Sequence, residues 1–196
     1  MTLIRTDLRY AERSARNVLD LTVPQSASKP PLIVYIHGGA FRMGDKADSY
    51  GVTERQALVD AGYALASVNY RYSTEAIWPA QLDDLRDAFA FLRGKADEYH
   101  FDASKVASFG ASAGGHLSAC CGIAFAAEPQ TALRASIVWF PAVDFLNMDL
   151  DMEASGVARA TGRNDGPDRP ESVLIGAHAL THPHLARAAS PLGSAT

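Results

Sequence analysis

The chain has 196 residues, 47% hydrophobic and 20% charged, with a formal net charge of -4. This is enough apolar material for one packed core and excludes a largely disordered chain, while the acidic balance and the scatter of Lys and Arg exclude a nucleic-acid footprint. No run approaches the roughly 18 apolar residues of a membrane span, and residues 1–17 lack the apolar segment of a secretory signal, so a soluble cytoplasmic protein with no membrane partner is expected.

Residues 17–23 alternate weakly, Val18, Asp20 and Thr22 against Leu19, Leu21 and Val23, which suits an edge strand of an antiparallel start. A polar, proline-marked loop covers 24–31. Residues 32–36 are continuously apolar, as in a strand covered on both faces, and run into His37-Gly38-Gly39-Ala40-Phe41. Two glycines directly after a buried strand let the Gly39 and Ala40 amides turn toward a neighbouring site. An ordinary glycine loop leaving a strand has the same appearance. Residues 52–61 read as a modest helix stopped at Gly62, and 63–70 as another buried strand. Arg71, so close to a strand end, is expected to pair with an acidic residue and brace the loop. Trp78-Pro79 opens the most regular helix, with Leu82, Leu85, Phe89, Leu92 and Ala96 along one face. Asp83, Asp84, Arg86 and Asp87 are assigned to its solvated side.

Residues 106–109 form a short strand that enters Gly110-Ala111-Ser112-Ala113-Gly114-Gly115-His116, a G-x-S-x-G turn before a helix. Such a turn crowds the backbone on both sides of the serine, so the positions two before and two after it tolerate almost no side chain. Ser112 is therefore the first candidate nucleophile, with the Ala113 amide at a helix N-terminus to stabilise an oxyanion. A Gly/Ala/Ser-rich helix start chosen for close packing is the alternative. Residues 114–127 form an apolar helix and 135–140 the next strand, left by Pro141-Ala142-Val143-Asp144. Cys120 and Cys121 read as two small buried hydrophobes. No spacing suits a metal, and no cofactor is expected. Beyond 147 the sequence suggests a helix over 148–159, a Gly/Pro/Asp/Arg loop over 161–170 and short helical pieces over 171–189. The alternation predicts one three-layer α/β domain over 1–196, with 147–196 a helical or irregular segment.

His37-Gly38-Gly39-Ala40-Phe41 with Gly44-Asp45-Lys46, then Asn69-Tyr70-Arg71-Tyr72-Ser73, Trp78-Pro79-Ala80-Gln81 and Gly110 to His116 together resemble the α/β-hydrolase carboxylesterases. The chain is most similar to the deacetylase and feruloyl esterase group, near the hormone-sensitive-lipase-like esterases, over about residues 18–190. The resemblance implies an α/β-hydrolase fold with a mostly parallel sheet and a serine hydrolase acting on small short-chain or aryl acyl esters. Ser112 would be the nucleophile, Gly39, Ala40 and Ala113 the oxyanion-hole amides, and His37 the residue that holds their loop. Ala40 replaces a third glycine of the lipase-like branch, and an amide survives that change.

In that family the catalytic acid and histidine lie beyond a Ser-Pro such as Ser190-Pro191. A C-terminally truncated chain is therefore expected, with the last strands missing and the acid and base unassigned. Internal substitutes are Asp144 for the acid and His178, His182 or His184 for the base; His116 should point down its helix, away from the pocket. Those three clustered histidines also raise zinc, without a defined spacing to support it. Phe41, Trp78 and Phe145 are expected in the pocket. The alternatives are an arylformamidase-like amide hydrolase and a catalytically incompetent hydrolase-fold remnant. Strand 135–140, interior in the family, would have a bare edge, which implies a homo-oligomer, a cover by the tail from 147, or poor solubility.

Overall fold

The computed structural model describes residues 2–26, 28–129, 131–156 and 167–194. Its strands are β1 (Leu3–Arg9), β2 (Val18–Val23), β3 (Pro31–Ile36), β4 (Ala64–Val68), β5 (Asp102–Ala111) and β6 (Ala135–Trp139). Its helices are α1 (Val52–Asp60), α2 (Ala80–Gly94), α3 (Ala96–Tyr99), α4 (Ala113–Ala124), α5 (Met148–Ala154), α6 (Pro170–Ile175), α7 (Pro183–Ala189) and α8 (Pro191–Ser194). One mixed sheet has the order β1-β2-β4-β3-β5-β6. β1, β2 and β4 pair antiparallel, whereas β4, β3, β5 and β6 are parallel neighbours. This is the α/β layering that the alternation of strands and helices predicts, and it fits the α/β-hydrolase fold that the resemblance implies.

The continuous apolar runs are explained by two-sided cover. Leu32, Val34 and Ile36 of β3 join the larger core with Leu85 and Phe89 of α2 and Leu117 of α4. Ile33 and Tyr35 face the other way, into a smaller cluster with Leu65, Phe109 and the α1 residues Leu58 and Val59. Parallel pairing carries β3, β4 and β5 in one direction, with Ile36 opposite Gly110. The loops after β3 and β5, where the candidate residues lie, are thereby adjacent.

Three expectations change. β2 is an interior strand, and the sheet's edge is β1, whose charged LIRTDLR sequence half-buries only Leu3 and Leu8 and so carries almost no alternation. Asp84 is not on a wet face: it is fully buried, with Arg71 Nη2 2.8 Å from its Oδ1 and the Arg71 backbone N–H donating to Oδ2 at 2.9 Å. The first turn of α2 faces the loop leaving β4, so Asp84 is the acidic partner expected for Arg71. Finally, the described residues after 147 do not cover β6. They pack on α4 and the loop after β6, where Leu192 N–H donates to Val143 O and Phe145 N–H to Ser190 Oγ. Ile137, Val138, Trp139 and Phe140 stay exposed. The expected helix over 148–159 is present as α5 up to Ala154; 157–159 and most of the 161–170 loop lie outside the described residues. No described helix is long and apolar enough to cross a membrane.

The Arg71–Asp84 pair makes a stability prediction. Removing one partner of a buried pair strands the other charge, at a cost of about 3 kcal/mol or more. Asp87 meets Arg13 at 3.0 Å with both side chains partly exposed, a contact worth under about 1 kcal/mol. Urea denaturation should find Asp84→Ala destabilised by at least about 3 kcal/mol and Asp87→Ala nearly unchanged; equal effects would contradict this assignment.

Candidate active site

Ser112 is the single residue between the end of β5 and the start of α4, at φ 54° and ψ -121°. This is a costly conformation for a residue with a Cβ, and it persists only where the surroundings impose it. The surroundings are backbone. A Cβ on Gly110 would lie 2.2 Å from Gly114 O, one on Gly114 2.0 Å from Ile36 O, and one on Gly115 2.8 Å from Trp139 O. The Ser112 amide donates to Trp139 O at 3.0 Å and its carbonyl accepts from His116 N–H at 2.9 Å. With its main chain pinned this way, the side chain is exposed. It opens into a cavity of about 510 Å³ that His37, Gly39, Met43, Tyr50 and Phe140 also line.

The loop after β3 lies against this turn, since a Cβ on Gly38 would be 3.0 Å from Ala111 O and 3.7 Å from Ser112 Cβ. Gly39, Ala40 and Phe41 have consecutive positive φ values of 116°, 53° and 61°. His37 Nδ1 is 2.7 Å from Gly38 O, and Gly39 O accepts from the amides of Arg42 and Met43 at 3.0 Å each. In a trans peptide the N–H points opposite to the C=O, so these bonds turn the Gly39 and Ala40 amides away from the loop's own interior. Among the described residues no acceptor takes the Gly39, Ala40 or Ala113 amide. Three donors are thus left open beside an exposed serine.

His37 stacks on Tyr70 with ring centroids 4.4 Å apart, and Tyr70 Oη donates to His37 O at 3.0 Å. Arg16 Nη2 lies 3.3 Å from His37 Nε2. A guanidinium only donates, so Nε2 accepts, and the ring proton is on Nδ1. Burial lowers the His37 pKa to about 4, and the Arg16 charge acts in the same direction.

All six histidines lie among the described residues, and none hydrogen-bonds Ser112 Oγ. His37 lines the cavity, but both its nitrogens are engaged. His116 is fully buried: Nδ1 is 2.7 Å from Ala142 O, and its ring stacks on Phe145 at 4.9 Å. His178, His182 and His184 sit around the start of α7, outside the cavity lining, with His182 Nδ1 3.0 Å from Thr181 Oγ1. Asp144 accepts from Leu146 N–H at 2.9 Å and Asn147 Nδ2 at 2.7 Å, tying up the entry to α5. The internal acid and base candidates are therefore not brought together with Ser112.

The expected pocket aromatics need correcting as well. Phe41 and Phe145 are buried and Trp78 half-buried, and all three pack around His116. The rings that reach the cavity are Tyr35, Tyr50 and Phe140. The β3 pattern marks Tyr35 as buried without showing that its ring reaches the cavity, and Tyr50 and Phe140 sit in connections with no sequence signal of their own. Cys120 and Cys121 are free and buried, and burial raises the Cys120 thiol to about 12, so neither is a ready nucleophile. No group of three metal-binding side chains occurs among the described residues.

Comparison with known proteins places this geometry. The family model BD-FAE matches residues 19–194. Esterase LipC of Mycobacterium tuberculosis is 30% identical over 182 residues, which is 86% of this chain and 42% of LipC. Arylacetamide deacetylase of Oryctolagus cuniculus is 33% identical over 123 residues, 60% of this chain and 31% of that protein. A truncated form of carbohydrate esterase from gut microbiota superposes with a TM-score of 0.80 at 28% identity, over 97% of this chain and 72% of that one. The chain spans less than half the length of these two curated relatives.

The buried imidazoles set a pH dependence. Burial lowers both His37 and His116 to about 4, against about 6.5 when unfolded. Below about pH 6.5 the unfolded chain binds more protons, so the stability these groups hold above that pH is lost as pH falls toward 4. The urea midpoint should be level above about pH 6.5 and fall steadily between 6.5 and 4, before the ordinary carboxylates titrate; a level midpoint down to pH 4.5 would refute it.

Proposed function

The chain belongs to the BD-FAE family of α/β-hydrolase esterases, and on that premise we propose that it is built for serine carboxylic ester hydrolysis, with Ser112 as the nucleophile. One observation carries the reading: an exposed serine, held in strain at a helix N-terminus, stands beside a loop whose Gly39 and Ala40 amides have no acceptor. Ser112 Oγ attacks the ester carbonyl, and the oxyanion takes the amides of Ala113, Gly39 and Ala40. The carbonyl re-forms as the alcohol leaves, giving an acyl-serine that water then hydrolyses. Tyr35, Tyr50, Met43 and Phe140 give the cavity an aromatic and apolar wall, which favours short-chain or aryl acyl groups.

Attack also requires a base for the Ser112 proton. A second reading, a hydrolase fold that binds acyl compounds without turnover, is favoured by the positions of the six histidines, none of which is bonded to Ser112. Losing a triad base costs on the order of 10⁶ in turnover. The 196-residue chain should therefore hydrolyse p-nitrophenyl acetate only at a trace rate. Fusion to a histidine-bearing C-terminal segment of a family member should raise it several orders of magnitude, and Ser112→Ala should remove the gain. A gain that survives Ser112→Ala would overturn the esterase reading. Strong Ser112-dependent turnover by the unfused chain would instead move the base to His178, His182 or His184, and single alanine replacements would identify it.

We also propose that two copies associate along β6. Its outer edge is unpaired among the described residues, Ile137, Val138 and Trp139 are exposed, and ASIVW carries no charge to repel a partner strand. Light scattering should give a mass of two chains or more, and Val138→Lys should shift it toward one; a monomer with rapid amide exchange across residues 135–139 would rule this out.

A further inference from the structure

Arg16 belongs to the connection between β1 and β2, far in sequence from every glycine motif, yet it reaches the floor of the site. Its Nε donates to Tyr70 O at 2.8 Å, and its Nη2 to Gly44 O at 3.1 Å and to His37 Nε2 at 3.3 Å. The guanidinium carbon lies 3.7 Å from the centroid of the Tyr72 ring, and Nη1 is 3.9 Å from Asp45 Oδ2. We propose that Arg16 is a positioning residue that dictates the tautomer of His37 and, through it, the direction in which the Gly39 amide points. The proposal rests on reading Gly39 as an oxyanion donor.

The chain of cause is short. A guanidinium has no lone pair to offer, so the His37 nitrogen that meets it must be the acceptor. The other nitrogen, Nδ1, then carries the proton and donates to Gly38 O at 2.7 Å. With the Gly38 carbonyl held, the plane of the 38–39 peptide is fixed and its N–H faces the opposite way. In the reversed tautomer an Nδ1 lone pair would face the Gly38 carbonyl at that distance, a repulsion relieved by rotating the peptide. Gly44 leaves little slack, since a Cβ there would lie 2.4 Å from Gly38 O and 2.6 Å from His37 Nδ1.

The charge on Arg16 matters as well as its shape. An imidazolium would turn a second N–H toward a cation already in place, so Arg16 adds to the burial that keeps His37 neutral. The other groups whose fields reach His37 are Asp45 and Asp48, which act in the opposite direction, with the stacked Tyr70 phenol uncharged. Lysine would not substitute fully. The three acceptors are spread around a planar fork, which a single ammonium does not match.

The experiment reads the NMR on the full chain and the rate on its fusion to the histidine-bearing C-terminal segment of a family member. Imidazole ¹⁵N NMR should show His37 protonated at Nδ1 and unprotonated at Nε2 at pH 7. In Arg16→Ala the tautomer should shift toward Nε2–H, and the titration midpoint should rise from about 4 toward the ordinary 6.5. The Ser112-dependent hydrolysis of p-nitrophenyl acetate should fall about 10- to 100-fold in kcat with KM within twofold, part of the 10²–10³ that removing an oxyanion donor costs. Arg16→Lys, retaining a single cationic donor group, should keep Nδ1–H and recover part of the rate; it also carries the test if Arg16→Ala fails to fold. An unchanged tautomer in Arg16→Ala overturns the proposal whatever the rate does, as does a changed tautomer with an unchanged rate. In a folded Arg16→Lys, loss of Nδ1–H overturns it, as does retention without any rate recovery. If the hydrolysis survives Ser112→Ala, the esterase reading fails, while the NMR result still decides what Arg16 does to His37.

Discussion

The approach on which the site depends is between main chains. Helix α4 comes so near to β3 that the Cα of Gly114 stands where any side chain would press into the Ile36 carbonyl, 2.0 Å from a notional Cβ. Gly110 and Gly115 meet similar walls at Gly114 O and Trp139 O. Since interiors transmit strain instead of absorbing it, this contact sets the sharpness of the turn at Ser112. It also brings the loop after β3 alongside that turn. Parallel strands in register supply the rest, because they deliver both loops to the same end of the sheet.

Loops that leave strand ends lose their ladder partners, and here three guanidiniums supply replacements. Arg16 takes the carbonyls of Tyr70 and Gly44, Arg55 takes those of Lys46 and Asp48, and Arg71 takes Ala80 O while pairing with Asp84. Each binds at least one main-chain oxygen outside its own helix or loop. A buried carbonyl needs such a donor, and a rigid five-donor fork satisfies several with one side chain. The shape of the cavity wall is therefore set by arginines as much as by the glycines it contains.

Much of this was legible beforehand. Buried strands announced themselves as unbroken apolar runs, and the paired glycines around Ser112 announced a turn that no other residue would fit. β1 was hidden because it buries so little; its place comes from pairing with β2, a non-local fact. Asp84 was misplaced because helical periodicity describes only the helix, and its partner Arg71 lies outside it. Phe41, Trp78 and Phe145 were drawn toward the cavity by proximity in sequence, whereas the positive φ of Phe41 accompanies a ring packed into the core around His116. The glycines of the donor loop were visible from their order alone, but the orientation of each amide depends on what its neighbouring carbonyl binds.

β6 holds Ser112 by one bond, from the Ser112 amide to Trp139 O, and it is also an edge strand whose outer side is unpaired among the described residues. Strands at a margin open locally at far lower cost than the whole domain unfolds. The geometry of the serine therefore depends in part on this edge strand staying closed. Whatever rests against that strand, a neighbouring chain or only water, tunes the lifetime of the turn at Ser112 without touching the cavity.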